Sequence, residues 1–139
     1  MPACATWEDN DQTVVRVDCL KPWQWHEYDQ AIDQAYDMIN GVVQKVYLIV
    51  TSDAPTLTKG LPLPHILRSL KHYPINLTRL VIVNSAAKSA FKSSMFETVF
   101  QVYPKAIDQL AFAVTVEEAL SLIEKWKNMP AKKRRTLTF

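Results

Sequence analysis

Side chains that could bind or activate a phosphate are sparse in this chain of 139 residues. A phosphate loop needs several glycines, because only glycine lets the backbone wrap closely around a phosphate. The chain has two, Gly41 and Gly60. The remaining candidate anion site is a predicted helix start at Asn84 and Ser85, where free N–H groups favour an anion and Lys88 follows. The alternative is an ordinary N-cap with solvated lysines, which the capping preference of serine also explains.

Catalytic and metal-binding patterns are equally sparse in the sequence. The three histidines, His26, His65 and His72, form no recognised metal-ligand spacing with one another, with cysteine or with a carboxylate. No Gly-x-Ser-x-Gly nucleophile motif occurs. The adjacent carboxylates Glu117 and Glu118 are explained by a helix capping box. We therefore expect a protein without enzymatic activity, bound metal or cofactor.

Strand-like and helix-like segments alternate along the chain and predict an α/β domain. A polar turn, Glu8–Asp11, separates the first two strand-like runs and predicts a β-hairpin. Alternation in the second run places Val15, Val17 and Cys19 on one buried face. The predicted strands are Ala3–Trp7, Thr13–Leu20, Val46–Val50, Leu80–Val83 and Leu110–Val114.

Four helices are expected between and after these strands. The first begins near Trp25 or His26 and ends near Gly41, where a left-handed cap is expected. The others span about 65–72, 84 or 85 to 103, and 115–126. Strand–helix–strand connections require mostly parallel pairing. The prediction is one layered α/β domain, residues 1–128, with a mixed sheet of about five strands and four helices.

Positive charge is concentrated in the last nine residues, which belong to a predicted basic, disordered tail (129–139). These nine residues contain four cationic side chains and no acidic one, which is a charge of +4. Because the net charge of the whole chain is +2, residues 1–130 carry a charge of −2. A mildly acidic body does not suit nucleic-acid binding. The tail is typical of a solvated chain end, with contact to phosphate or a membrane surface as the alternative.

The sequence predicts a cytoplasmic protein. Residues 1–11 have neither the basic start nor the apolar stretch of a signal peptide. The longest apolar run, Val46–Val50, is too short to span a bilayer. Cys4 and Cys19 are expected to be free thiols, although they could pair if their strands lie side by side.

A hairpin followed by alternating helices and strands resembles the STAS domain, the SpoIIAA-like fold of bacterial anti-sigma-factor antagonists. The similarity covers about residues 5–126 and is closest to a little-characterised bacterial STAS-like group. It lies in Trp23–Tyr28, in Val46–Val50 with the polar loop after it, in Leu80–Asn84, in Val102–Pro104 and in Val116–Ala119. The resemblance implies binding of a partner protein through the loop after the third strand and the following helix.

That resemblance predicts a non-catalytic interaction or regulatory module in signalling. In the antagonists the helix begins with a phosphorylatable serine, which is missing at the matching helix start here. The polar residues that we expect to bind are Asp53, Thr56 and Thr58, within the long loop Thr51–Pro64. The expected partner is another protein, without specific nucleic acid or a membrane span, and a homo-oligomer is compatible with this.

The alternative is a domain that binds a small apolar or lipid-like ligand between a helix and the sheet. The four tryptophans bear on this choice, because they either fill the ends of the core or line a ligand slot. An apolar pocket near Trp23 and Trp25 would favour the ligand.

Overall fold

The computed structural model describes residues 3–19, 24–52, 62–83, 101 and 103–129. All five predicted strands are present in these ranges, with three helices and one helical turn, Ala106–Gln109. The third predicted helix, residues 84 or 85 to 103, falls almost entirely outside them, as does the predicted tail. The strands are β1 (Ala3–Trp7), β2 (Val14–Cys19), β3 (Val46–Ser52), β4 (Leu77–Val83) and β5 (Leu110–Ala113). The helices are α1 (Trp25–Asn40), α2 (Pro62–Lys71) and α3 (Val116–Lys127).

The strands form one mixed sheet in the order β1-β2-β3-β4-β5. β1 and β2 form the predicted antiparallel hairpin, and the other three neighbouring pairs are parallel. Cys4 lies opposite Asp18 and Cys19 lies opposite Ala3, so the two thiols are on different faces and do not form a disulfide with each other. No helix in the described ranges is long and apolar enough to cross a membrane.

The hairpin turn is held by the carboxylate of Asp9. Its oxygens accept hydrogen bonds from the N–H groups of Thr13 and Val14, each at 2.9 Å, and from the Thr13 hydroxyl. Burial opposes the charge, but these hydrogen bonds prevail and lower the pKa of Asp9. Gln12 adopts a left-handed backbone conformation, φ 56°, in the same turn.

One face of the sheet carries the larger core beneath α1 and α2. Val15, Val17 and Cys19 are buried there, as their alternation predicts, together with Ile32 and Leu70 from the two helices. Both described crossovers, from β2 to β3 and from β3 to β4, therefore place their helix on the same face. Right-handed crossovers have this result when successive strands are added in one direction.

The opposite face is covered by α3. Ala119 and Ile123 pack on Ile49 and Val81 in a second cluster, and the ring of Trp126 stacks on Tyr47. Val46–Val50 is consequently buried on both faces, as its continuous apolar run predicts.

The helix ends follow the sequence in part. Thr115 caps α3 by accepting from the N–H of Glu118 at 3.1 Å, which confirms the predicted N-cap, while the carboxylate of Glu118 accepts from the N–H of Val114 at 3.1 Å. The left-handed cap predicted at Gly41 is wrong, since its φ is −80°. The side-chain amide of Asn76 donates hydrogen bonds to the carbonyl of Ile39 at the end of α1 and to that of Val42 just after it. The chain therefore leaves the helix without a left-handed residue.

Candidate functional site

The predicted binding loop lies between β3 and α2. Asp53, Thr56 and Thr58 fall in residues 53–61, outside the described part of the chain. The candidate anion-site residues Ser85 and Lys88 also fall outside it. The structure therefore shows the two ends of the loop: the end of β3, which continues to Ser52, and the start of α2.

Both ends belong to one edge of the sheet, where the carboxyl ends of the parallel strands meet. This carboxyl edge is also where α1 and α2 begin, because each helix follows a parallel strand. Ligands of open α/β sheets bind at this edge, in a crevice between crossovers that lie on opposite faces. Since α1 and α2 lie on the same face, they do not form such a crevice between them.

A first polar group flanks the carboxyl edge on the face that α3 partly covers. One oxygen of Asp18, Oδ1, accepts from Nε of Arg16 at 2.8 Å and from the hydroxyl of Thr51 at 2.7 Å. A second, longer ion pair joins Arg16 to Glu8 at 3.8 Å. The hydrogen bond to Asp18 raises the pKa of Arg16, and the Arg16 and Asp18 side chains stay 31% and 27% exposed.

A second polar group flanks the same edge on the face of α1 and α2. Nδ1 of His65 lies 2.7 Å from Oδ2 of Asp29, and the imidazole stacks on the indole of Trp25 with 5.2 Å between ring centroids. One turn further along α2, Nη2 of Arg68 donates to Asp33 at 2.8 Å, which raises the pKa of Arg68. These pairs join α1 to α2 while leaving part of each side chain in water.

Buried hydroxyl groups fix α2 to α1 beneath these charged pairs. Tyr36 donates its hydroxyl to the backbone carbonyl of Ser69 at 2.7 Å, and the Tyr28 hydroxyl lies 3.4 Å from the Ser69 hydroxyl. Burial raises the pKa of Tyr28 to about 12 and also raises that of Tyr36. Both phenols are therefore neutral donors at physiological pH.

The described polar side chains of the carboxyl edge are paired with one another. Among its described side chains, the guanidinium groups of Arg16 and Arg68 pair with Asp18 and Asp33, and the imidazole of His65 hydrogen-bonds with Asp29. A His–Asp pair orients the base in nucleophilic enzymes, but that chemistry also needs a nucleophile hydrogen-bonded to the histidine. Among the described residues, the hydrogen bond of His65 is to Asp29 alone. The same residues contain no group of three or more side chains that could hold a metal.

The sequence carries a partial signal for each of these two groups. Arg16 and Asp18 alternate with the buried valines of β2, so both had to lie on the other face of the sheet. Asp29 and Asp33 are four residues apart on α1, a spacing that puts both on one side of the helix. Neither pattern reveals the residue on the other element.

A separate cavity of about 390 Å³ lies at the opposite edge of the sheet, near the end of α2 and the start of β4. Its lining mixes apolar groups such as Leu70 and Leu77 with Lys71, Lys105 and Gln109. Trp25, by contrast, is buried, and its indole contacts the rings of Tyr28 and His65, while Trp23 lies outside the described residues.

Comparison with known proteins finds no matching family model, no similar curated protein and no similar solved structure.

Proposed function

We propose that this chain is a non-catalytic, STAS-like interaction or regulatory module that binds another protein at the carboxyl edge of its sheet. The binding surface is the loop 53–61 together with the outer side of α2. The observation that carries the proposal is the pairing of charges on both faces of this edge. Arg16–Asp18–Thr51 lies on one face of the sheet at this edge, and His65–Asp29 with Arg68–Asp33 lies on the other face.

Paired, half-exposed charges suit recognition of a protein surface. They remain solvated in the free protein, and at the rim of an interface they give specificity and faster association more than raw affinity. The Tyr36–Ser69 hydrogen bond holds α2 in place, so little ordering of the helix is needed on binding. The hairpin followed by β3, β4 and β5 in sequential order supports the STAS-like layout.

The alternative, an apolar or lipid-like ligand between a helix and the sheet, has less support. The side chains of α1 and α2 pack directly on the sheet, and Trp25 belongs to that core. The cavity of about 390 Å³ has charged lysines in its lining and lies at the other edge. An apolar ligand would have to desolvate those lysines, which is costly.

The test begins with affinity capture on the tagged wild-type chain, followed by mass spectrometry of bound proteins and bound small molecules. Each captured protein is then titrated against the triple variant Asp53→Ala, Thr56→Ala, Thr58→Ala and against Arg68→Ala. We expect each variant to weaken binding at least about tenfold, which corresponds to about 1.4 kcal/mol.

Lys125→Ala is the matched control, because Lys125 is an exposed cation on α3, which packs on the other face of the sheet. Its affinity should stay within about twofold of wild type, a difference of less than about 0.5 kcal/mol. The proposal fails if both site variants remain folded and keep wild-type affinity for the captured protein. Recovery of a stoichiometric apolar small molecule, with no protein, would establish the alternative.

A further inference from the structure

Among the described strands β1 forms one end of the sheet, and part of its backbone points away from its neighbour β2. The N–H of Glu8 donates to the carbonyl of Val14 at 2.7 Å, which marks these two as a hydrogen-bonded pair. Hydrogen-bonded and non-hydrogen-bonded pairs alternate in an antiparallel ladder. In the observed register, the N–H and C=O groups of Ala3, Ala5 and Trp7 therefore point outward from the sheet.

The five residues of β1 lack the side chains and irregularities that protect many edge strands. Natural edge strands carry charged side chains, proline or bulges that prevent pairing with another chain. Ala3–Trp7 contains no charged residue and no proline, and its register with β2 is continuous along all five residues. Its outward backbone groups can therefore hydrogen-bond to a second strand.

We propose that two copies of this chain join through β1 and form one continuous sheet. The two strands run antiparallel about a two-fold axis, with Ala5 opposite Ala5 of the second copy. Ala3 then lies opposite Trp7 of the second copy. Of the registers with two-fold symmetry, this one pairs every outward N–H and C=O of the strand.

The helices above the strands fit this arrangement. α1 packs over β1 and β2, because Ala5 and Val17 share its core. Strands lie about 4.8 Å apart, so two such helices across the axis would be about 10 Å apart. Packed helices have interaxial distances of about 8–10 Å. The two copies of α1 would therefore be in contact.

The side of α1 that would meet its copy carries one charged residue, Glu27, in the first turn of the helix. Asp29 and Asp33 are directed towards α2, where they pair with His65 and Arg68. At 100° per residue, Gln34 and Met38 lie with Glu27 on the side of α1 away from α2, and the carboxylate of Glu27 accepts a hydrogen bond from the N–H of Gln24. Met38 is half-buried beside the core, as is Trp7 on the strand. Pairing two copies would cover both hydrophobic side chains further.

A second copy is the occupant that these features favour over an unrelated strand. A two-fold interface requires a surface that is complementary to itself. The neutral strand does not repel its own copy, and the largest side chain of β1, Trp7, meets the small Ala3. This interface is distinct from the proposed partner site, so each can be tested without the other.

Cross-linking at position 6 tests the register. In the proposed dimer Cys4 lies directly opposite Thr6 of the second copy, as a non-hydrogen-bonded pair with Cα atoms about 4.5 Å apart. That distance lies within the range of about 4.4–6.8 Å in which disulfides form. Thr6 is exposed, so Thr6→Cys should fold normally. Under mild oxidation it should form a covalent species of twice the 15.9 kDa chain mass.

Two controls make this result specific. The wild-type chain should not cross-link, because Cys4 is only a diagonal neighbour of Cys4 in the second copy. The double variant Cys4→Ser, Thr6→Cys should lose the cross-link, and the buried Cys19 on the other face should not replace Cys4. A cross-link that persists in the double variant would overturn the proposed register.

Sedimentation equilibrium of the wild-type chain tests the dimer itself. We expect a mass of about twice 15.9 kDa that falls towards the monomer on dilution. A mass of 15.9 kDa at every concentration would overturn the proposal and leave the β1 edge to a different partner. A dimer in which folded Thr6→Cys does not cross-link would show that another surface is used.

Discussion

The side chain of Asn76, which precedes β4, hydrogen-bonds to the end of α1 and to the connection between α1 and β3. Its replacement offers the sharpest test of the fold. Its amide Nδ2 lies 2.8 Å from the carbonyl oxygen of Ile39, 3.1 Å from that of Val42 and 3.0 Å from that of Gln44. Asn76→Asp preserves the shape but replaces the donating amide with a carboxylate. Three carbonyl oxygens would then face a negative charge, so we expect a large loss of stability.

The magnitude follows from the hydrogen bonds that are lost. The amide has two hydrogens, and each hydrogen bond contributes about 1 kcal/mol net. Asn76→Ala should therefore lower the free energy of unfolding by about 2 kcal/mol. Asn76→Asp should lower it by about 4 kcal/mol at neutral pH, because the part-buried carboxylate also loses solvation. A domain of this size has about 5–15 kcal/mol in total.

Urea unfolding at pH 7 and at pH 4 measures both effects. The surrounding carbonyls should raise the folded-state pKa of the new carboxyl above its unfolded value of about 3.9. The destabilisation should then be smallest below that unfolded value and grow as the pH rises through the folded pKa. Asn10→Asp, in the exposed hairpin turn, controls for the added charge and should change stability by less than about 0.5 kcal/mol. A loss no greater for Asn76→Asp than for Asn76→Ala at pH 7 would refute the reasoning.

Three further predictions concern the hairpin and the attachment of α2. Tyr36→Phe removes the buried hydrogen bond to Ser69 and should lower the free energy of unfolding by about 1–2 kcal/mol, whereas an unchanged urea midpoint would contradict that role. Gln12→Gly should raise the free energy of unfolding by up to about 1 kcal/mol, because glycine adopts φ 56° without strain, and Gln12→Ala should not. Asp9 has a lowered pKa, so its stabilisation relative to Asp9→Asn should be complete well above its ordinary pKa of 3.8 and disappear as the pH falls below it. Thermal unfolding from pH 7 to pH 2 would show this, and a constant difference would contradict it.

The strands could be predicted from the sequence because the hydrophobic pattern matches the buried residues along most of their length. The predicted and observed strand ends differ where a strand continues through polar residues. β3 extends through Thr51 and Ser52, since the backbone still pairs there with Asp18 and Cys19 of β2. β4 likewise begins at Leu77 instead of Leu80, because its backbone is already paired before the apolar run begins. The guanidinium of Arg79, in this added part of the strand, lies 4.9 Å from the ring centroid of Trp126. Hydrophobicity marks the buried centre of a strand, while hydrogen bonding sets its ends.

The polar groups of the carboxyl edge could not be predicted, because each depends on contacts distant in sequence. Asp18 and Thr51 meet only because β2 and β3 are parallel in one particular register. His65 and Asp29 meet because α1 and α2 pack side by side on one face. Local patterns indicate which side of an element a residue occupies, but they do not specify which residue of another element it meets.

The two proposed surfaces have a combined consequence that neither has alone. Because β1 would pair antiparallel to its copy, the two β2 strands would also run in opposite directions. The carboxyl ends of the parallel strands would then point in opposite directions in the two copies. The two carboxyl edges would lie on opposite sides of the continuous sheet, so one dimer could bind two partner proteins without overlap. A variant that disrupts the dimer should keep its affinity for a monovalent partner, but it should bind a partner with two linked sites more weakly, since avidity is lost. Equal weakening towards both kinds of partner would instead mean that β1 contributes directly to the partner site.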